Sequence, residues 1–410
     1  MVQQTAEENF IPIGYVERVV IKKPAQNALF QQHYSPISKK VNVMRTHFVQ
    51  TCLFFILLFS RVNAQESALP RVEIAGTQLQ KITSSLVQGQ EYNLYINLPR
   101  GYQDAAKKFP VVFVLDAQWD FTLAYSLYGE EYYDGFIPEV ILVGITWGGV
   151  NPNPDSLRVR DFSPTHVNNA VQSGGAPKFL SFLKDELIPF IDSHYRTIPG
   201  DRTLMGSSFG GLFTLYAMFN GTESFHRYIL TSPYIAYDNY AISASEKMYA
   251  EKNSSLPVKL FMAQGELEGG VPQFQKFVDN LKAREFKDFS MQSRILEHMG
   301  HSGGKAEGYT RGLQFVFGRP SLMLTDNILN KYTGIYEFGN GASVKMMKEK
   351  SRLIAQLPSG EKVVLYAATE TNFYREGGFL NVHFRKDDSG NVSGVQFEQY
   401  NGETFLKKIK

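Results

Sequence analysis

The sequence predicts an α/β domain with a mostly parallel central sheet, followed by a small antiparallel β domain. Three observations carry this expectation. Between about residues 71 and 319, short apolar runs alternate with helical patterns, the alternation that builds parallel strands joined by right-handed crossovers. Several of these runs are apolar almost throughout, as strands buried on both faces require. After "FGRPSLMLTDN" the helical patterns stop and short alternating segments, separated by turns, take over.

The strand-like runs are "YNLYINLP" (92–99), "VVFVLD" (111–116), "VILVGIT" (140–146), "RTLMGS" (202–207), "RYILTSP" (227–233) and "VKLFMAQG" (258–265), with "FSMQSRIL" later in the chain. In "PKFLSFLKDELIPFIDSHY", Phe179, Phe182, Leu183, Leu187, Phe190 and Ile191 recur at helical spacing behind Pro177. Pro189 is predicted to bend this helix or to mark its last turns. From Tyr332 onward, "GIYEF", "SVKMMKE", "SRLIAQL", "KVVLYAA", "FLNVHFRK", "VSGVQFEQY" and "TFLKKI" read as strands of a small sheet or barrel. These patterns set expected boundaries of 65–320 for the α/β domain and 325–410 for the all-β domain.

The 410-residue chain carries a formal charge of +2, which gives no reason to expect a nucleic-acid partner. Its start differs from the rest. A basic start at Met44-Arg-Thr-His, the short apolar run Phe48–Ser60 and small residues at Val62 and Ala64 predict a secretory signal over 44–64. The run is shorter than the ~20 apolar residues of a membrane span, so no stable membrane insertion is expected after cleavage. Residues 1–43 read as a spurious or disordered extension, and the mature protein is expected to be secreted or periplasmic. Cleavage after Ala64 removes seven Lys/Arg and three Asp/Glu, leaving +2 − 7 + 3 = −2, and removes Cys52, the only cysteine. Disulfides, thiolate metal sites and a cysteine nucleophile are thereby excluded from the mature chain.

The chemistry is concentrated in "TLMGSSFGGLFTLYAMF" (203–219). Gly206-Ser207-Ser208-Phe209-Gly210 fits G-x-S-x-G with Ser208 at its centre, after an apolar strand and before a helix. A tight strand-to-helix turn lifts the central hydroxyl above the carboxyl ends of the strands and needs small neighbours. The Phe209 N–H, at the helix start, then faces a developing oxyanion. Ser207 is out of register and is expected to pack or hydrogen-bond locally. A serine hydroxyl needs a base, and the base an orienting carboxylate, in the chain order serine, acid, histidine. Downstream lie His298, His301 and His383. His383 falls in the predicted β domain, and His301, in the small-residue loop "MGHSGG", is preferred to His298. Of the acids after the "VKLFMAQG" strand, Glu268 is preferred to Glu266, being three residues past Gly265. The loop Ala117–Asp120 is expected to supply the second oxyanion N–H, with Trp119 lining the pocket.

Together these stretches resemble the esterase branch of the α/β-hydrolase superfamily, which includes siderophore esterases, feruloyl and acetyl-xylan esterases, S-formylglutathione hydrolase and mycolyltransferases. The resemblance spans residues 90–318, through "FPVVFVLDAQWDF", "VGITW", "RVRDFSPT", "FLSFLKDELIPFIDSHYRT", "YILTSPY", "GELE" and "GHSGG", and is nearest to siderophore-esterase-like hydrolases. It implies an α/β-hydrolase fold, a Ser208–His301–Glu268 triad working through an acyl-enzyme, and oxyanion N–H groups at Phe209 and Gln118. Two departures stand out: Ala117 where the family often has glycine, and "SPYIAYD" where close relatives often carry a tryptophan pair. Residues 325–410 resemble a β domain often appended to secreted bacterial hydrolases.

Trp119, Tyr234, Arg158 and Arg160 are candidates for binding substrate, while Asp161 could instead pair with one arginine to brace its loop. No metal-ligand cluster, P-loop or dinucleotide fingerprint occurs, so no cofactor or metal is expected. The expected partner is a small-molecule or glycan ester, with oligomeric state left open. Within the same chemistry, action on feruloyl or acetyl carbohydrate esters and acyl transfer are the alternatives. A non-catalytic binding protein is the alternative outside it.

Overall fold

The apolar runs come together as the centre of an eight-stranded sheet in the structure, a computed structural model that describes residues 73–410. The expected signal segment and the stretch before it lie outside the described residues. The strands are β1 (Thr77–Thr83), β2 (Glu91–Asn97), β3 (Phe109–Val114), β4 (Ile141–Trp147), β5 (Thr197–Ser207), β6 (Arg227–Thr231), β7 (Lys259–Gly265) and β8 (Ser290–Leu296). Their order is β1-β2-β4-β3-β5-β6-β7-β8. β3 to β8 run parallel, whereas β1, β2 and β4 alternate in direction at one side. Every residue of β3 and β4 is buried, in keeping with sequences in which Thr146 is the one polar side chain. β1 has no counterpart in the sequence reading. Its sequence, TQLQKIT, is polar and half exposed because it forms the sheet's outer edge.

Helices cover both faces. α1 (Ala117–Tyr133) and α8 (Gly304–Val316) pack on one face, where Phe121, Tyr128, Tyr309 and Leu313 share a core with Val112, Val114 and Ile229. The other face is covered by α2 (Pro154–Phe162), α3 (Ala176–Ser181), α4 (Ile188–His194), α5 (Phe209–Asn220), α6 (Tyr237–Lys252) and α7 (Val271–Lys282), over a core that includes Phe162, Phe179, Phe182, Phe213 and Tyr228. The helix expected over 177–195 is α3 and α4 joined by a π-helical turn, Phe182–Leu187. Pro189 explains the turn: it has no N–H, and its ring would press on the carbonyl four residues earlier. The wider π turn absorbs both effects.

After the short helix α9 (Asp326–Tyr332) the chain forms a closed barrel. Its strands are β9 (Gly334–Glu337), β10 (Ser343–Glu349), β11 (Arg352–Gln356), β12 (Lys362–Ala367), β13 (Asn372–Tyr374), β14 (Leu380–Lys386), β15 (Val392–Gln399) and β16 (Gly402–Lys408). β16 pairs back onto β9, so no edge is left open. Inward side chains, among them Tyr336, Met346, Leu353, Phe373, Phe384 and Phe397, fill the lumen, with Leu329 and Tyr332 of α9 buried in the same cluster. The barrel is a packed core and not a channel. β13 is only three residues long, too short to show a period of two, and the sequence reading passes over it.

The barrel docks on the α/β unit through aromatic residues. Tyr132, at the end of α1, meets Phe379 edge-on at 5.2 Å, and Tyr133 meets Tyr400 at 4.9 Å, with Arg100 stacked 4.4 Å over the Tyr400 ring. Arg319 donates to Asn381, and the Leu322 N–H donates to the Ala367 carbonyl. Arg100 precedes β3, Tyr132 ends α1 and Arg319 follows α8, so the contact lies at the amino ends of the parallel strands. Among the described residues, no helix is long and apolar enough to cross a membrane.

Candidate active site

Four parallel strands deliver the candidate residues at their carboxyl ends: Ser208 after β5, Ser232 after β6, Glu268 after β7 and His301 after β8. The turn at Ser208 is the tightest. Ser208 has φ 58° and ψ −119°, a conformation that side chains rarely adopt, and α5 begins at the next residue. The flanking glycines are explained by contact. A Cβ on Gly206 would lie 2.7 Å from the Gly210 backbone, and one on Gly210 would lie 3.2 Å from Asp116 Oδ2. The Ser208 N–H donates to the Thr231 carbonyl at 3.1 Å, and its own carbonyl accepts from the Leu212 and Tyr234 N–H groups. These bonds fix the turn from both neighbouring segments. Ser208 is half-buried, whereas Ser207 is buried, and its hydroxyl has no hydrogen-bond partner among the described residues. Of the two roles expected for Ser207, packing is the one observed.

Glu268 and His301 come together. His301 Nδ1 lies 2.6 Å from Glu268 Oε2. A carboxylate only accepts, so Nδ1 carries the proton and Nε2 is left as the basic nitrogen. The other Glu268 oxygen, Oε1, accepts from Ser232 Oγ at 2.6 Å and from the Gly265 N–H at 2.8 Å. Burial alone would raise the Glu268 carboxyl. The bonds from His301, Ser232 and Gly265 overcome that and hold it below the ordinary carboxylate value of 4.5. The Leu267 N–H donates to the Met299 carbonyl, tying the glutamate turn to the histidine loop. The less favoured pair also meet: Glu266 Oε2 accepts the His298 N–H at 2.8 Å, in an exposed turn where His298 has φ 53°. His383 lies in β14 and bonds Asn372 across the barrel wall. Ser232 escaped the sequence reading, because a serine after a strand carries no signal until its partner's position is known.

The region expected as a loop at Ala117–Asp120 is instead the first turn of α1. Asp116, with φ 52°, makes the strand-to-helix turn in one left-handed residue, so the helix starts at Ala117. Gln118 and Phe209 therefore both sit in first helical turns, whose N–H groups have no partner within the helix. Gly210 packs against Leu115 and Asp116, which brings the two helix starts together. The Gln118 side chain accepts from Thr146 Oγ1 at 2.6 Å. Trp119 and Tyr234 are 49% and 46% exposed beside these turns, and Tyr234 packs edge-on against Phe209 at 5.3 Å.

Both arginines are held by acids. Arg158 makes a two-pronged pair with Asp116, Nε to Oδ1 at 3.1 Å and Nη2 to Oδ2 at 2.8 Å. Arg160 pairs the same way with its neighbour Asp161, a fully buried carboxylate that also accepts from Tyr92 Oη and Trp147 Nε1. The bracing role considered for Asp161 is thus present. One turn beyond Asp116, buried Asp120 accepts from Lys305 Nζ and Tyr309 Oη, both at 2.7 Å. Lys305 and Tyr309 belong to α8, which follows the His301 loop, so this bond links the start of α1 to that loop.

Comparison with known proteins gives the family. The family model described as "Putative esterase" matches residues 84–311, more than half of the chain. The chain belongs to that esterase family. It is 30% identical over 228 residues to a ferri-bacillibactin esterase of Bacillus subtilis, covering 52% of this chain and 76% of that protein. It is 24% identical over 208 residues to a siderophore triacetylfusarinine C esterase of Aspergillus fumigatus, covering 48% and 71%. Among solved structures, an IroE-like serine hydrolase from Shewanella oneidensis superposes with a TM-score of 0.52 at 26% identity, covering 59% of this chain and 80% of that one. A BES protein from Bacillus cereus gives 0.55 at 24%, covering 60% and 97%. The esterase family and the α/β-hydrolase fold expected from the sequence both hold. The barrel lies beyond the matched span.

Proposed function

We propose that this esterase-family protein is a serine hydrolase that cleaves carboxylic esters through Ser208, His301 and Glu268. The observation that carries the reading is the 2.6 Å contact between His301 Nδ1 and Glu268, made at the same carboxyl edge of the sheet that presents Ser208, held at φ 58° two strands from Glu268. Glu268 fixes the imidazole and leaves Nε2 to take the Ser208 proton. Ser208 Oγ then attacks the acyl carbon, and the Phe209 and Gln118 N–H groups receive the oxyanion. The imidazolium passes its proton to the leaving alcohol, and a water, deprotonated by the same nitrogen, releases the acid from the acyl-enzyme.

Siderophore-type esters are the proposed substrate class, supported by the named activities of the two curated relatives. The exposed rings of Trp119 and Tyr234 beside the turn suit a flat, aromatic-bearing ester. Export through the 44–64 segment, as a two-domain protein of 65–320 and 325–410, completes the proposal.

The test offers the purified protein and a Ser208→Ala variant a triscatecholate trilactone, a feruloyl sugar and an acetylated glycan, with products followed by mass spectrometry. Cleavage of the trilactone by the wild type alone is expected. Turnover confined to the sugar esters would overturn the substrate class, and undiminished turnover by Ser208→Ala would overturn the mechanism.

A further inference from the structure

We propose that Arg158 is a positioning residue: clamped on Asp116, it locks together the two turns that present the oxyanion-binding N–H groups, and so controls kcat and not substrate affinity. The inference rests on the Ser208 reading above.

The two N–H groups belong to separate segments. Gln118 follows the turn after β3, and Phe209 follows the turn after β5. Each turn hinges on one non-glycine residue at positive φ, Asp116 at 52° and Ser208 at 58°. Such residues hold their conformation only when their surroundings fix them from several sides. Arg158, on α2, comes from a third segment and touches both turns. Its guanidinium takes both Asp116 oxygens, makes a long 3.5 Å contact to the Ser207 carbonyl, and lies 5.5 Å from the ring centres of both Trp119 and Phe209. Asp116 and Trp119 bracket Gln118 in the chain, and Ser207 and Phe209 bracket Ser208. One planar cation therefore contacts the chain on both sides of each working position.

The burial of the pair fits a strut and not a substrate hook. The Asp116 side chain is 2% exposed and that of Arg158 is 15% exposed. Asp116 Oδ2 also lies against Gly210, so the carboxylate is wedged between the two turns. A planar, two-pronged guanidinium suits this task, and a lysine could fill only one prong. On the far side of α1's first turn, the bond from Lys305 to Asp120 holds the same element toward the His301 loop. The oxyanion turns are thus pinned from two directions.

The test compares the full-length wild type with Arg158→Ala, Arg158→Lys and the double variant Asp116→Asn/Arg158→Met, which removes both buried charges together. Hydrolysis of a p-nitrophenyl short-chain ester gives kcat and KM, and thermal melting reports folding. Misplacing reacting groups by about an ångström costs about 10²-fold, so each variant should lose about that much in kcat with KM nearly unchanged. Methylguanidinium added to Arg158→Ala should restore part of the loss. A KM that rises while kcat holds would overturn the clamp in favour of substrate binding. Wild-type kcat in the well-folded double variant would overturn it as well, even if the single variants fail to fold. Ser208→Ala, run in parallel, separates the two claims: full activity there would overturn the nucleophile reading beneath the clamp, whereas loss there beside wild-type kcat in the Arg158 variants would overturn the clamp alone.

Discussion

Ser207 and Ser208 are chemically identical neighbours that the backbone makes different. Ser208 sits at the strained apex of the turn, half-buried, whereas Ser207 ends β5 with its hydroxyl buried and without a hydrogen-bond partner among the described residues. A buried hydroxyl without a partner costs about 1–3 kcal/mol. Ser207→Ala should therefore leave thermal stability unchanged or raised by about 1 kcal/mol, with ester hydrolysis retained; a melting curve and a rate assay check both. Glu268 gives a pH-dependent prediction. Its carboxyl is held below 4.5 by His301, Ser232 and Gly265 against the opposing effect of burial. A depressed folded value means that the ionised group stabilises the fold above about pH 4.5, and that this contribution disappears as pH falls through the lowered value. The melting-temperature gap between wild type and Glu268→Gln should thus be full near neutrality and should narrow below pH 4.5. A gap that stays constant or widens in acid contradicts the hydrogen-bonded carboxylate. The same variant should lose about 10³- to 10⁴-fold in kcat, since an amide orients the imidazole in the wrong tautomer.

At the scale of elements, the chain reveals its centre and hides its margins. The buried strands β3, β4, β6 and β7 read directly from largely apolar runs, because burial on both faces leaves little room for polar residues. The elbow was legible for a related reason: a Cβ on Gly206 would run into the Gly210 backbone, so only glycine fits there, and one on Gly210 would crowd the Asp116 carboxylate. β1 and β13 were hidden, one a polar edge strand and one three residues long. The start of α1 was hidden too, because a single left-handed Asp116 replaces the turn residues that usually announce a helix. The site divides in the same way. The proposed Ser208, Glu268 and His301 are singled out by residue type and chain order. Ser232, Asp116 and Lys305 act through partners far away in sequence, and no local pattern records those pairings. Gly206→Ala tests the elbow at this scale. Its Cβ must displace the Gly210 backbone, so kcat should fall about 10²-fold, together with a lower melting temperature. Wild-type kinetics in that variant would show that the turn tolerates a wider spacing.

At the scale of the whole molecule, the barrel and the site occupy opposite ends of the sheet. Tyr132, Arg100 and Arg319 hold the barrel at the amino ends of the parallel strands, while Ser208, Glu268 and His301 lie at the carboxyl ends. Phe379→Ala removes the ring that Tyr132 packs against. It should cost about 1–3 kcal/mol of stability while leaving kcat and KM for a small ester unchanged; calorimetry and steady-state kinetics read the two quantities separately. Of the adjacent pair, Ser208 alone is proposed to do the chemistry. A fluorophosphonate probe followed by peptide mass spectrometry tests it most directly. The label should fall on Ser208, persist in Ser207→Ala and vanish in Ser208→Ala together with ester hydrolysis. A label on any other residue, or hydrolysis that survives Ser208→Ala, would contradict the account.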